Sequence, residues 1–498
     1  MTKTRWTWDT WAVFALAIAG GAVARYLRWV ALRDVGHVMD EFAYVFQAKT
    51  FAWGRLTAPL ALPRGVFGLW FVDDRWARFS IFPPGWPAVL ALGDALRLSN
   101  WVNPALHAAT VPALAAIGQR LGGTRARIVL AGLYALSPQA LLLAASLMSH
   151  PLVAFASAWA LAMAIAAVGE RRPHGARLRS LLLGIALAVV ILARPPCAVV
   201  VGIGLATLLG VGLHRKTVRP REVILAVAPC LAGVALLLGY NAHLTGSATR
   251  FPQDAWFDEH LPPTDDAYFD YRPGCNRMGL GPGHGCDRSI RKGYHDLENA
   301  LSNTGDNLTS WAVLAGGGPL VFLLALVPLF RRQARAEAAG MLVFVGGAVV
   351  LYGLYWHPGT CYGARFYHAA LPALLALAGL GLARWPPRAC AAMAAVVLAG
   401  NAAGLYLGVS EISDHYWGTD ERFAALQSKW DGPPSLVLLA FSEEIFETRA
   451  LRWTAHTSQD RPILRNGVRA EGALGRDGPR MDDRVLFGKY HPALVGEM

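Results

Sequence analysis

Charged side chains are scarce in this sequence: Asp, Glu, Lys and Arg make up 16% of its 498 residues, against about 25% in an ordinary soluble domain. A chain that is also 54% hydrophobic has too little polar surface to face water on every side, which excludes a soluble globular protein. Acids are the scarcer sign, 34 against 46 Lys and Arg. Only six cysteines are present, with no C-x-x-C pair, so neither a zinc finger nor a disulfide-stapled scaffold fits. A Walker phosphate loop is missing, and the glycine runs do not follow a strand as a dinucleotide fold requires. ATP-driven pumping and nicotinamide chemistry are unsupported.

What the chain does have is apolar runs, recurring along its first 410 positions, of about the 17–25 residues that cross a bilayer. Candidate spans are 11–32, 84–98, 101–119, 127–147, 151–169, 180–194, 197–213, 222–240, 311–330, 338–355, 369–384 and 389–409. The N-terminal run continues past Gly21 to Leu32 and reads as an uncleaved first span. The predicted fold class is an all-α polytopic membrane protein of about 11–12 helices. Residues 1–410 form its membrane domain, with outer loops 33–82 and 241–310. Residues 411–498 are read as a small α/β extracytoplasmic domain, in which Ser435-Leu-Val-Leu-Leu-Ala-Phe441 looks like a strand.

Although the net charge is +12, its placement argues against nucleic acid. The positives gather in short loops, at Arg171 to Arg179, His214 to Arg221, Arg331 to Arg335 and Arg384 to Arg388, as cytoplasmic loops do. This rule places the loops around 194–196, 241–310 and 356–368, and the tail, on the opposite side of a plasma (inner) membrane. Between residues 82 and 127 the parity fails by one crossing. Either 84–98 is a shallow, non-crossing helix or a boundary is misplaced. Cys197, Cys230 and Cys390 read as small core residues. Cys275 and Cys286 lie in a polar outer loop and are read as a disulfide formed in an oxidising compartment.

Asp40 and Glu41 follow the first span directly, and two adjacent carboxylates at a membrane face cost desolvation energy that needs a reason. A helix over about 41–53 puts Glu41, Tyr44 and Ala48 on one face and Phe42, Val45, Phe46 and Trp53 on another, as in an interfacial helix with its polar side toward a cavity. Helix capping accounts for Asp40 about as well as catalysis does; its location favours catalysis. Another candidate is the loop Gly279 to Gly285 followed by Tyr294 to Asn299. It is either a substrate loop presenting His284 or a glycine-rich surface turn. No complete metal-ligand set is present, and His284, His295 and His357 are dispersed.

Asp40-Glu41, then Tyr44, Ala48, Gly54 and Phe82-Pro-Pro-Gly-Trp-Pro87, resembles the first outer loop of the GT-C glycosyltransferases. The groups it is most similar to are the protein O-mannosyltransferases and the lipid A aminoarabinose transferases. Arg194-Pro-Pro resembles the Arg-Pro break of these proteins, and Gly363-Ala-Arg-Phe-Tyr-His368 before Leu371-Pro372 resembles their late G-x-R segment. Where the family often carries an acid, this chain has Leu147-Met-Ser-His-Pro151. His150 there is a proton carrier, a substrate hydrogen-bond donor or a helix-end residue.

The resemblance implies transfer of a monosaccharide from a polyprenyl-phosphate donor to a hydroxyl of a lipid, glycan or protein acceptor, outside the cytoplasm. Asp40 and Glu41 would supply the base, and Arg194 and Arg365 would hold the phosphate. Tyr44, Tyr367, His150 and His284 would contact substrate. A divalent cation is an optional cofactor in this reading. The alternatives are a polysaccharide polymerase or ligase, and a transporter of lipid-linked substrates. A transporter would place ionisable groups at mid-membrane in paired halves, and neither is visible.

Overall fold

The computed structural model describes residues 7–34, 36–60, 71–169, 175–260, 278–282, 294–331, 334–355, 357, 362–413, 435–439 and 485–489. In chain order, α1 (Trp8–Val30) leads to α2 (Met39–Ala52), a hairpin of β1 (Val72–Asp73) and β2 (Phe79–Ser80), and the short α3 (Gly85–Ala95). Next come α4 (Ser99–Ala135), α5 (Pro138–Ala145), α6 (His150–Gly169), α7 (Ala176–Ala193), α8 (Pro195–His214), α9 (Pro220–Thr245) and α10 (Pro252–His260). A second hairpin, β3 (Gly281–Pro282) with β4 (Tyr294–His295), precedes α11 (Leu297–Ala315), α12 (Leu320–Leu326), α13 (Arg335–Gly353), α14 (Leu371–Leu382) and α15 (Pro387–Ser413).

Among the described residues, eight helices are long and apolar enough to cross a membrane, and two bent pairs built on α4 and α11 qualify jointly. The chain is a multi-pass membrane protein. Helix α4 is itself folded back. Gly123 sits at φ 75 and ψ −167, a region open only to glycine. His107 Nε2 lies 3.2 Å from the carbonyl of Ala135, which a straight helix would hold about 42 Å away. The two arms of α4 therefore run antiparallel, and the second continues through α5.

With 11 residues, α3 rises only about 16 Å and does not cross, which removes the parity mismatch. Contacts at the two ends agree. At the arginine-rich end Arg127 pairs with Asp9 at 2.6 Å, Arg215 pairs with Glu337 at 2.6 Å, and Arg125 donates to Trp385 O. At the opposite end the fully buried Arg28 donates to Ala145 O at 3.0 Å and Asn100 Oδ1 at 2.9 Å.

The core sits around α5 and α14, all of whose residues are buried. On α7, α9 and α15, residues such as Leu181, Leu231, Leu236 and Leu407 stay exposed and suit lipid contact. Two backbone breaks at membrane depth share one partner. Asn401 on α15 accepts from Gly317 N at 3.0 Å and donates to Leu136 O at 3.0 Å. Interrupted helices survive in a bilayer only when freed groups are satisfied in this way.

The sequence suggests an interfacial α2 with one face toward a cavity. In the structure nine of its residues are buried, so protein surrounds it. Of the tail expected to form a small α/β domain, the structure describes the end of α15 and a parallel ladder of β5 (Ser435–Leu439) with β6 (Val485–Lys489). The rest of the tail lies outside the described residues, and one two-stranded ladder does not make the expected α/β domain.

Candidate active site

Helix α2 packs against α3 and β2, and its side chains reach the connector before α6 and the segment before α14. The backbone around this meeting point is irregular for reasons visible in the sequence. Arg194 precedes a proline, which disfavours helical backbone. It adopts φ −151 and ψ 84 between α7 and α8, so its side chain leaves the helix axis. Further on, Tyr362 (φ 69) and Gly363 (φ 63) are both left-handed. A Cβ on Gly363 would meet Leu314 Cδ1 and Ser310 Oγ at 2.6 Å, so only glycine fits. Gln139 Nε2 donates to Ala364 O at 2.9 Å and fixes the turn that delivers Arg365.

Asp40 and Glu41 part company. Glu41 is fully buried. Its carboxylate accepts from the backbone N–H of His37 at 2.6 Å, Val38 at 3.0 Å and Leu147 at 2.6 Å. Burial pushes its pKa up, opposed by those three amides and by Arg28. Leu147 belongs to the non-helical connector between α5 and α6, which is pinned throughout. Asn103 Nδ2 donates to Ser146 O and Met148 O, and Trp86 Nε1 donates to Leu147 O.

Asp40 Oδ1, by contrast, lies 3.9 Å from Arg365 Nη2, within ion-pair reach but beyond a hydrogen bond. The two side chains are 16% and 11% exposed, so the pair is recessed but not sealed.

Arg194 completes the cluster. Its Nη1 donates to Ser149 Oγ at 3.3 Å, and the Tyr44 hydroxyl lies 3.3 Å from the same oxygen. The Phe366 ring lies under both guanidiniums, with Arg194 Cζ 4.9 Å and Arg365 Cζ 5.4 Å from its centroid. Tyr352, Tyr355, His150 and His357 surround that ring at 5.1, 5.4, 6.1 and 4.3 Å. Burial, with Asp40 adding, pushes the phenols of Tyr44 and Tyr355 up to about 12 against the pull of the two arginines. Both stay protonated donors near neutral pH. His357 is held well below the ordinary histidine range by burial and by the positive charge of Arg365.

The structure thus brings Asp40, Tyr44, His150, Arg194 and Arg365 together. Tyr367 turns away, its ring packed 5.1 Å from Trp311. Cys275, Cys286 and His284 lie outside the described residues. Among the described residues, no three of His, Cys, Asp and Glu converge closely enough to hold a metal ion. Ser149 escaped the sequence reading. Its signal is a hydroxyl beside His150 in the connector, but its role depends on Arg194, distant in the chain.

No family model matches the chain, and no curated protein matches it in sequence. Among solved structures, ArnT from Cupriavidus metallidurans bound to undecaprenyl phosphate is similar with a TM-score of 0.53 at 16% identity, over 91% of this chain and 89% of that one. ArnT from the same organism in the apo state gives a TM-score of 0.51 at 15% identity, over 90% and 88%. Such identities establish architecture alone: the chain shares the fold of these ArnT structures.

Proposed function

We propose that this protein is a membrane glycosyltransferase that moves a monosaccharide from a polyprenyl-phosphate donor to an acceptor hydroxyl, on the face away from the arginine-rich loops. The observation that carries this reading is the recessed Asp40 carboxylate beside the guanidinium of Arg365, with Arg194 aimed at the same Phe366 ring. A base and two fixed cations are what the reaction needs. Asp40 takes the proton of the acceptor hydroxyl as its oxygen attacks the anomeric carbon. The bond to the lipid phosphate breaks, and Arg194 and Arg365 stabilise the departing phosphate, which leaves as an anion without a proton. One displacement inverts the anomeric centre, unlike the two-step path of retaining hydrolases. The similar ArnT structure holds undecaprenyl phosphate, a ligand of the chemistry assigned here to the donor.

Glu41 is then a positioning residue, since its carboxylate is committed to three amides. The test is mass spectrometry of envelope lipids and glycans from cells with and without the gene. The expected result is one hexose- or pentose-sized mass increment, on a lipid, glycan or protein, that disappears with the gene. Identical spectra under conditions where the protein is expressed would refute a transferase.

A further inference from the structure

Two guanidiniums sharing one aromatic ring is an arrangement the proposed chemistry does not itself require. Like charges drawn together in a recessed site repel, and each would relax away from the other unless something held it. Arg365 is the neighbour of Phe366 in sequence, so its approach to the ring is cheap. Arg194 comes from the break between α7 and α8, and nothing in the connectivity forces its Cζ to 4.9 Å from that centroid. Its other anchors are Ser149 Oγ, at 3.3 Å, and the side chains of Cys197 and Tyr352, themselves part of the bracing of that ring. Its Nε is buried without a hydrogen-bond partner.

The ring itself is braced. Tyr352 and Tyr355 lie against it at 5.1 and 5.4 Å, and His357 and His150 meet it edge to face at 4.3 and 6.1 Å. Tyr352 is fixed in turn by Cys197, whose Sγ lies 2.8 Å from its hydroxyl. An aromatic face carries negative potential and attracts a cation within about 6 Å of its centroid. Both cations satisfy that, so one ring ties side chains from two distant segments to the same point of the site.

We propose that Phe366 is the positioning residue of the phosphate clamp: its ring holds Arg194 and Arg365 close enough for one phosphate to bridge them before any ligand arrives. This rests on the lipid-phosphate reading above. A leucine at position 366 would fill much of the space but offer no π face. The two guanidiniums would then separate, and the binding of phosphate, not of the lipid tail, would suffer.

The test compares the affinity of the purified full-length protein in detergent for farnesyl phosphate and for farnesol, which share a tail and differ in the phosphate. The wild type is expected to prefer the phosphate. Phe366→Leu should cut that preference about tenfold while leaving farnesol affinity unchanged, and Phe366→Trp should retain it. Fluorinated phenylalanines at position 366 keep the ring's shape while draining its face of charge, and should lower the preference stepwise. They decide the question if Phe366→Leu does not fold. An undiminished preference in the leucine and fluorinated variants, or equal loss of both ligands, overturns the proposal. A wild type that does not distinguish the two ligands overturns the lipid-phosphate reading and this inference with it.

Discussion

Asp40 and Glu41 are consecutive, so helix geometry turns their side chains about 100° apart. One meets the connector at Leu147 and the other meets Arg365. The sequence made the pair conspicuous, but it could not say which acid was sequestered, because the deciding amide lies in a connector far along the chain. Glu41→Gln replaces one acceptor oxygen with a donor that faces an N–H. This substitution should cost about 1–3 kcal/mol and lower the melting temperature in detergent, whereas Asp40→Asn should leave it nearly unchanged. His357 gives a second check. Its folded pKa is depressed, so as pH falls below about 6.5 the unfolded chain binds a proton that the folded protein refuses. Stability should therefore fall from pH 7 to pH 5, and by less in His357→Gln; an equal fall in both proteins contradicts the assignment.

Helices were legible where physics is local. Apolar length announced the spans, Arg194-Pro-Pro announced a break, and the run at 435–441 announced β5. Helix α2 reads as interfacial because a helical wheel assumes one wet face, whereas in the structure nine of its 14 residues are buried. The reversal at Gly123 was visible only as two spans with a short basic gap, and contacts such as His107 to Ala135 fix it. Asn401 was invisible as a tie because its partners are backbone groups of two other broken helices. Asn401→Leu orphans the N–H of Gly317 and the carbonyl of Leu136, at about 1–2 kcal/mol per bond. A clear drop in melting temperature is expected, and no change would show that other groups satisfy those breaks.

Across the whole molecule, the alternation of short basic loops with long polar ones is the most reliable message in the sequence. It assigns sides because lysine and arginine resist translocation. Asp9 with Arg127 and Arg215 with Glu337, long-range pairs among the described residues, join segments that this rule puts on one side. A cysteine at His214 should react with an impermeant maleimide only after the membrane is permeabilised, and one at Ala248 should react in intact cells. The reverse pattern would put the Asp40 site in the cytoplasm. Sugar and acceptor stay illegible, since hydroxyl recognition leaves no fixed spacing in a chain.

The mechanism itself turns on Asp40 acting as the base, and this can be measured by turnover of the natural donor and acceptor with purified wild type, Asp40→Asn and Glu41→Gln. Asp40→Asn, folded and still binding farnesyl phosphate, should lose on the order of 10²–10⁴-fold in kcat. Turnover within about threefold of wild type in that variant would contradict a base at position 40.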